Sequence, residues 1–151
     1  MEIEFDKNGY LTGYAEPVSV DRFIVNYHFS RSSVNRRELW KRAEEFLDIL
    51  SSYSLPVLEI WIDGSFISQK AVPNDIDMVV FIRADFLEGN RSSFDSLDNA
   101  YKNLDVKWIP VRDKPDEFSL AIDALERMKW FILFSSDRNG LPKGFINLKP
   151  S

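Results

Sequence analysis

The chain has 151 residues, with 19 Lys and Arg against 24 Asp and Glu, one His and no Cys. That balance excludes disulfides, iron–sulfur clusters, thiol nucleophiles and Cys/His zinc sites, and leaves His28 as the only histidine for a Ser-His-Asp triad. Any metal site must be built from oxygen, which suits magnesium or manganese. A formal charge of −5 argues against general DNA binding by the whole surface, and no apolar run approaches the ~18 residues of a membrane span. The polar, acidic start MEIEFDKNGY is unlike a signal peptide. The expectation is one soluble, cytoplasmic domain over residues 1–151, with no membrane partner.

In chain order, the start reads as a hairpin. Ile3 and Phe5 alternate with acids, Asn8-Gly9 suits a type I′ turn, and Tyr10 and Leu11 restart the strand. Ser19 is positioned to cap a helix over residues 20–28, although Val25, Tyr27 and Phe29 also alternate as in a strand. Leu39, Trp40, Ala43, Phe46, Leu47 and Leu50 recur at helical spacing, with Ser32 or Ser33 as cap and Pro56 beyond the end. Arg36, Arg37, Lys41 and Arg42 fall on the other face. With Glu38, Glu44 and Glu45 beside them, they read as an ordinary solvated face rather than a phosphate or RNA patch.

Residues 57–62 (VLEIWI) and 75–82 (DIDMVVFI) are strands by composition. Residues 94–103 suit a helix, with Phe94, Leu97 and Tyr101 on one side. Residues 105–111 (DVKWIPV) suit a third strand, whose Pro110 puts its end at a sheet edge or outside the ladder. Residues 116–134 suit a last helix, capped by Asp116, with Phe118, Ile122, Leu125, Met128, Lys129 and Ile132 at helical spacing. A turn-rich loop, SSDRNGLPKG, leads to a short final strand with Phe145, Ile146 and Leu148. Strands alternate with helices, but two strands are joined by a short loop. The expected fold is α+β: a mixed sheet with helices packed against it and an N-terminal hairpin.

The chemistry concentrates in residues 61–77. One strand ends at Gly64-Ser65, and nine residues later the next opens with Asp75-Ile76-Asp77. Residues two apart on a strand share a face, so Asp75 and Asp77 form a paired-carboxylate clamp that a divalent cation relieves. Gly64 allows close backbone approach to a phosphate, and the Ser65 hydroxyl and nearby N–H groups are donors. Asp105 opens the following strand and joins the pair if that strand lies alongside. Lys70 lies in the intervening loop, within reach of a triphosphate, and reads equally well as a solvated loop lysine. Asp63 is a candidate fourth acid but reads better as facing away or closing the turn, and Arg138 and Lys143 are candidates for a phosphate or an acceptor but read slightly better as parts of a turn. His28 reads as structural or exposed. Trp108 and Trp130 are candidates to stack a base.

Gly-Ser, nine residues, Asp-hydrophobic-Asp-hydrophobic, then a third acid on a later strand resembles the polymerase-β-type nucleotidyltransferase superfamily, and its minimal members most closely. The resemblance implies that Gly64 and Ser65 contact a triphosphate, that Asp75 and Asp77 bind two magnesium ions, and that Asp105 binds the catalytic ion and helps activate the acceptor hydroxyl. The whole chain also resembles small bacterial and phage proteins of that fold. The shared features are the hairpin at Phe5 to Gly9, the core from Gly64 to Asp77 and the segment from Arg138 to Gly144. Superfamily members this small often belong to toxin–antitoxin or phage-defence systems, where they transfer AMP to proteins or nucleotides to tRNA.

The expected function is a magnesium- or manganese-dependent nucleotidyltransferase that moves an NMP from a nucleoside triphosphate, ATP among the candidates, to a hydroxyl of a protein, RNA or small molecule. Its alternative is a non-catalytic interaction module of the same fold, such as a toxin–antitoxin or defence partner. A metal-dependent nuclease is a third class, against which the Gly-Ser cradle argues.

Overall fold

A computed structural model describes residues 3–149. Five strands form one mixed sheet in the order β1-β5-β2-β3-β4. They are β1 (Val18–Val20), β2 (Val57–Asp63), β3 (Ile76–Arg83), β4 (Leu104–Val111) and β5 (Ile146–Leu148). The short link between β2 and β3 makes that pair antiparallel, and the helical link between β3 and β4 makes that pair parallel. β5 lies antiparallel to β2 and parallel to β1. Pro110 sits in β4, the edge strand, as its missing N–H requires. The expected α+β architecture is present.

The helices are α1 (Arg22–Val25), which continues into a π turn over Asn26–Ser30, α2 (Val34–Ser52), α3 (Ala84–Gly89), α4 (Arg91–Ala100) and α5 (Glu117–Phe134). Ser33 caps α2 by accepting from the Arg36 N–H, and Asp116 caps α5 by accepting from the Ser119 N–H. α1 is capped by Asp21, not Ser19, because Ser19 lies inside β1 opposite Asn147. The segment after it is helical rather than extended: Val25 and Phe29, four apart, are the buried pair. The helix expected over 94–103 begins earlier and is broken at Asn90, giving α3 and α4.

The N-terminal hairpin reduces to one bridge, Phe5 with Leu11; Met1 and Glu2 lie outside the described residues. Its turn is not type I′, which needs two left-handed residues. Gly9 alone has positive φ (78°), and its N–H donates to the Asp6 carbonyl. The Asp6 carboxylate accepts from the Asn8 and Tyr10 N–H groups and holds the loop shut.

α2 buries Leu39, Trp40, Ala43, Phe46, Leu47 and Leu50 against one face of the sheet, where Phe46 meets Trp108. α5 covers part of the opposite face through Phe131 and Phe134, which pack on Trp61 and Phe145. The apolar residues at helical spacing along α5 are not the ones it buries. Phe118 is 74% and Leu125 65% exposed, and Ile122, Met128 and Ile132 also face outward. The sheet beneath carries Glu59, a half-buried carboxylate that needs a cation. α5 therefore turns Arg127 inward, 2.7 Å from Glu59 and 4.7 Å from the Trp61 ring centre. Asp123 pairs with Arg112 on the same side. Among the described residues, no helix is long and apolar enough to cross a membrane.

Candidate active site

The buried apolar run of β2 ends at Asp63, and Gly64 turns the chain at φ 88° into a single 3-10 turn over Ser65–Ile67. A Cβ at Gly64 would lie 2.7 Å from Asp77 Oδ2, so only glycine fits both the angle and the space. Register then aligns the acids. Asp77 on β3 is opposite Asp63 on β2 and opposite Asp105 on β4. Strand alternation puts all three in one row on the face that carries α5. Asp75 stands one residue before β3. Gly64, Ser65, Lys70, Asp75, Asp77 and Asp105 all line one cavity of about 970 Å³.

Charge crowding marks this row. Burial, then the negative charges of Asp75 and Asp105, push the Asp77 carboxyl up to about 6. Asp63, which sequence reasoning turned away from the site, is 3% exposed and bonded to Lys143 Nζ at 2.6 Å. Burial raises it to about 6 against the pull of that ammonium. Its second oxygen, Oδ1, is buried with no hydrogen-bond partner among the described residues. Asp105 is exposed, 3.2 Å from Lys107 Nζ. As the side chains stand, no three His, Asp or Glu among the described residues are gathered closely enough to share a metal ion. The donor set itself is all oxygen, mutually repelling and partly orphaned, which is the chemistry a hard divalent cation fits.

Arg36 holds the glycine loop in place. It belongs to the buried face of α2, not to the solvated face on which it was expected, and is 3% exposed. Its guanidinium donates to the carbonyls of Phe29, Ser65, Phe66, Ser68 and Lys70. Nη1 serves the Phe29 and Phe66 carbonyls, and Nη2 is shared among those of Ser65, Ser68 and Lys70, so the planar fork sits inside a ring of acceptors. The Lys70 carbonyl is thus fixed while its side chain stays exposed at the cavity.

The facing wall joins the two ends of the described chain. Tyr10 Oη donates to Asp137 Oδ2 at 2.8 Å, and this bond holds the Asp137 carboxyl below its ordinary range. The Gly144 N–H donates to the Leu11 carbonyl at 2.6 Å. A Cβ at Gly144 would fall 2.2 Å from the Thr12 carbonyl oxygen, so the two segments meet backbone to backbone. Arg138 and Lys143 line the cavity from this wall. The profile of the Family of unknown function (DUF6932) matches the chain over residues 3–149.

The chain belongs to the DUF6932 family. The matched span takes in every element described above, including both walls of the cavity. No curated protein and no solved structure matches the chain.

Within this DUF6932 chain, Arg36 was missed from sequence, while Asp63 and Lys143 were candidates ranked behind a turn reading. Arg36 left a signal, since it precedes Leu39, Trp40 and Ala43 by three, four and seven residues and so shares their stripe. Nothing local pairs Asp63 with Lys143, because they are 80 residues apart. Trp108 is not at the cavity; it packs between Phe46 and Phe94 on the α2 side and donates to Asp98. Trp130 donates to Glu126 and packs on Phe134. His28 is exposed, edge-on to the Tyr27 ring.

Proposed function

We propose that the chain is a nucleotidyltransferase that moves a nucleoside monophosphate from a nucleoside triphosphate to a hydroxyl of a protein, RNA or small molecule. The observation that carries this reading is the acid row Asp63-Asp77-Asp105 packed against the Gly64 turn, in one cavity with Ser65, Lys70 and Asp75. Asp75, Asp77 and Asp105 would hold magnesium or manganese. The ion supplies charge neutralisation at the phosphates and a lowered pKa for the attacking hydroxyl.

The chain's own groups do the rest. Gly64 and Ser65 bring backbone and hydroxyl donors to the triphosphate. Lys70 and Lys143 add positive charge on two sides of it. Arg36 keeps the loop in one conformation, so the donors need no reorganisation on binding. The acceptor oxygen attacks the α-phosphorus, the bond to pyrophosphate breaks, and Asp105, the exposed acid, receives the hydroxyl proton.

Calorimetric titration with ATP, GTP, CTP and UTP, each with magnesium or manganese, tests binding; labelled NTP with candidate acceptors tests transfer. At least one NTP should bind, and Asp75→Ala/Asp77→Ala should abolish it. Failure of every NTP to bind at millimolar concentration would sink the proposal. Cleavage of nucleic acid without NTP would replace it with a nuclease.

A second reading, a non-catalytic interaction module of the same fold, is favoured by the ungathered acids and by Lys143 already neutralising Asp63. A partner that co-purifies equally with wild type and with Asp75→Ala/Asp77→Ala, in the absence of NTP binding, would select it.

A further inference from the structure

α5 turns its larger apolar face away from the sheet. Phe118, Ile122, Leu125, Met128 and Ile132 are between 42% and 74% exposed. At 3.6 residues per turn they fall within an arc of about 120°. The helix has no freedom to roll this stripe inward. Its inner face is committed to the Arg127–Glu59 and Asp123–Arg112 pairs and to Phe131 and Phe134 on Phe145, and rolling would strip Glu59 of its cation.

The stripe is also large. Its five side chains expose on the order of 600 Å², the upper end for an apolar patch on a monomer. With Leu133, also exposed and on the flank of the same arc, it comes to about 700 Å², close to the roughly 800 Å² that each partner gives to a standard interface.

The spacing identifies the partner. The intervals between the five residues run four, three, three, four, so the pattern reads the same from either end, centred on Leu125. That is the self-complementarity a two-fold axis demands, where residue i meets j and j meets i. We propose that the chain forms a homodimer by antiparallel pairing of α5 with α5 of a second copy. Leu125 lies on the axis and meets itself. Phe118 meets Ile132 of the second copy, and Ile122 meets Met128. Lys129 falls opposite Ala121, which leaves its stem room to carry the ammonium to solvent. The antiparallel arrangement also opposes the two helix dipoles. Leu133 and Phe134 at the end of α5 line the cavity, so the second copy stands at the cavity rim. The inference does not depend on the reaction assigned to that cavity.

The absence of cysteine makes single-cysteine variants clean reporters. Under mild oxidation Leu125→Cys should cross-link to itself into a dimer. Phe118→Cys alone should not, but mixed with Ile132→Cys it should. Sedimentation equilibrium should find wild type dimeric, and Leu125→Glu should weaken the dimer by about a hundredfold while leaving the circular dichroism spectrum unchanged. Any of four results overturns the proposal: a wild-type monomer at roughly 100 μM; a dimer that survives Leu125→Glu; cross-linking of Leu125→Cys no faster than that of Tyr53→Cys, an exposed control elsewhere; or self-cross-linking of Phe118→Cys, which requires parallel helices. A different protein found on α5, with the freed chain monomeric, overturns it too.

Discussion

Around the Gly64 turn, charge is inside: Asp63 and Arg36 are buried, and each has its counter-group held at one angle and distance. Along α5, apolar side chains are outside, and nothing within the described residues touches most of their surface. Both depart from the ordinary distribution, yet the physics differs. A buried charge stabilises nothing unless its partner is present and placed, so the site region is stiff and intolerant. An exposed apolar stripe leaves the isolated fold almost indifferent to its identity, and its energy is released only on association.

The comparison can be broken by substitution. Arg36→Ala removes the donor for five carbonyls and should cost about 4 kcal/mol, lowering the melting temperature by about 10 °C. Arg36→Lys should recover only part of it, since an ammonium has no fork. A melt of Arg36→Ala within 2 °C of wild type would show that the loop needs no clamp.

Lys143→Met should cost about 3 kcal/mol at pH 8, because it leaves Asp63 buried and unpaired. The sign of the pH dependence follows from Asp63 being raised above its ordinary value of 3.8 to about 6. A carboxyl so raised favours the folded state in its protonated form. Its contribution is present below pH 4 and is lost as the pH climbs through 6. The Lys143→Met deficit should therefore shrink between pH 8 and pH 5 in urea titrations, and Asp63→Asn/Lys143→Met should restore most of the stability. A pH-independent deficit would mean that Lys143 acts by packing alone.

Gly64→Ala should cost about 2 kcal/mol from the left-handed φ and the collision with Asp77. Asp77→Asn should do the opposite at high pH. Asp77 is also raised to about 6, so its ionisation works against folding, and the variant should gain about 1 kcal/mol at pH 8 after allowance for solvent screening, and nothing at pH 4. Leu125→Glu should change the unfolding free energy of the monomer by less than about 0.5 kcal/mol. A larger loss would place the α5 stripe among packed residues and erase the contrast between the two regions.

Much of the fold was legible where periodicity and composition agree. Residues 57–62, 75–82 and 105–111 were assigned to β2, β3 and β4 within a residue or so at each end, and α2 and α5 likewise. The Gly-Ser and Asp-x-Asp spacing located the cavity, because the β2–β3 link is short enough for local sequence to describe it. Three things were not legible. The register that aligns Asp63 with Asp77 and Asp105 is a pairing between strands, and no single strand carries it. The direction α5 faces could not be read because the helix has two stripes, and the more apolar one is not the one buried; Glu59 on another element decides that. The hairpin at Asp6 to Tyr10 was the right turn of the wrong type, because Asp6 supplies bonds that let Asn8 keep negative φ.

β5 lies between β1 and β2, although its residues, 146–148, follow every other element in the chain. During synthesis β2, β3 and β4 are able to pair as soon as they emerge, while β1 has no neighbour in the sheet to join. Residues 143–148 then supply, together, the ammonium for Asp63, the backbone contact with Leu11 and the strand that bridges the two parts of the sheet. Closing this long-range pairing is the slow kind of folding event. The cavity is thus finished by the same few residues that finish the sheet. A nascent chain carries its completed acid row and its glycine turn from Asp105 until Lys143 emerges, without the wall that faces them.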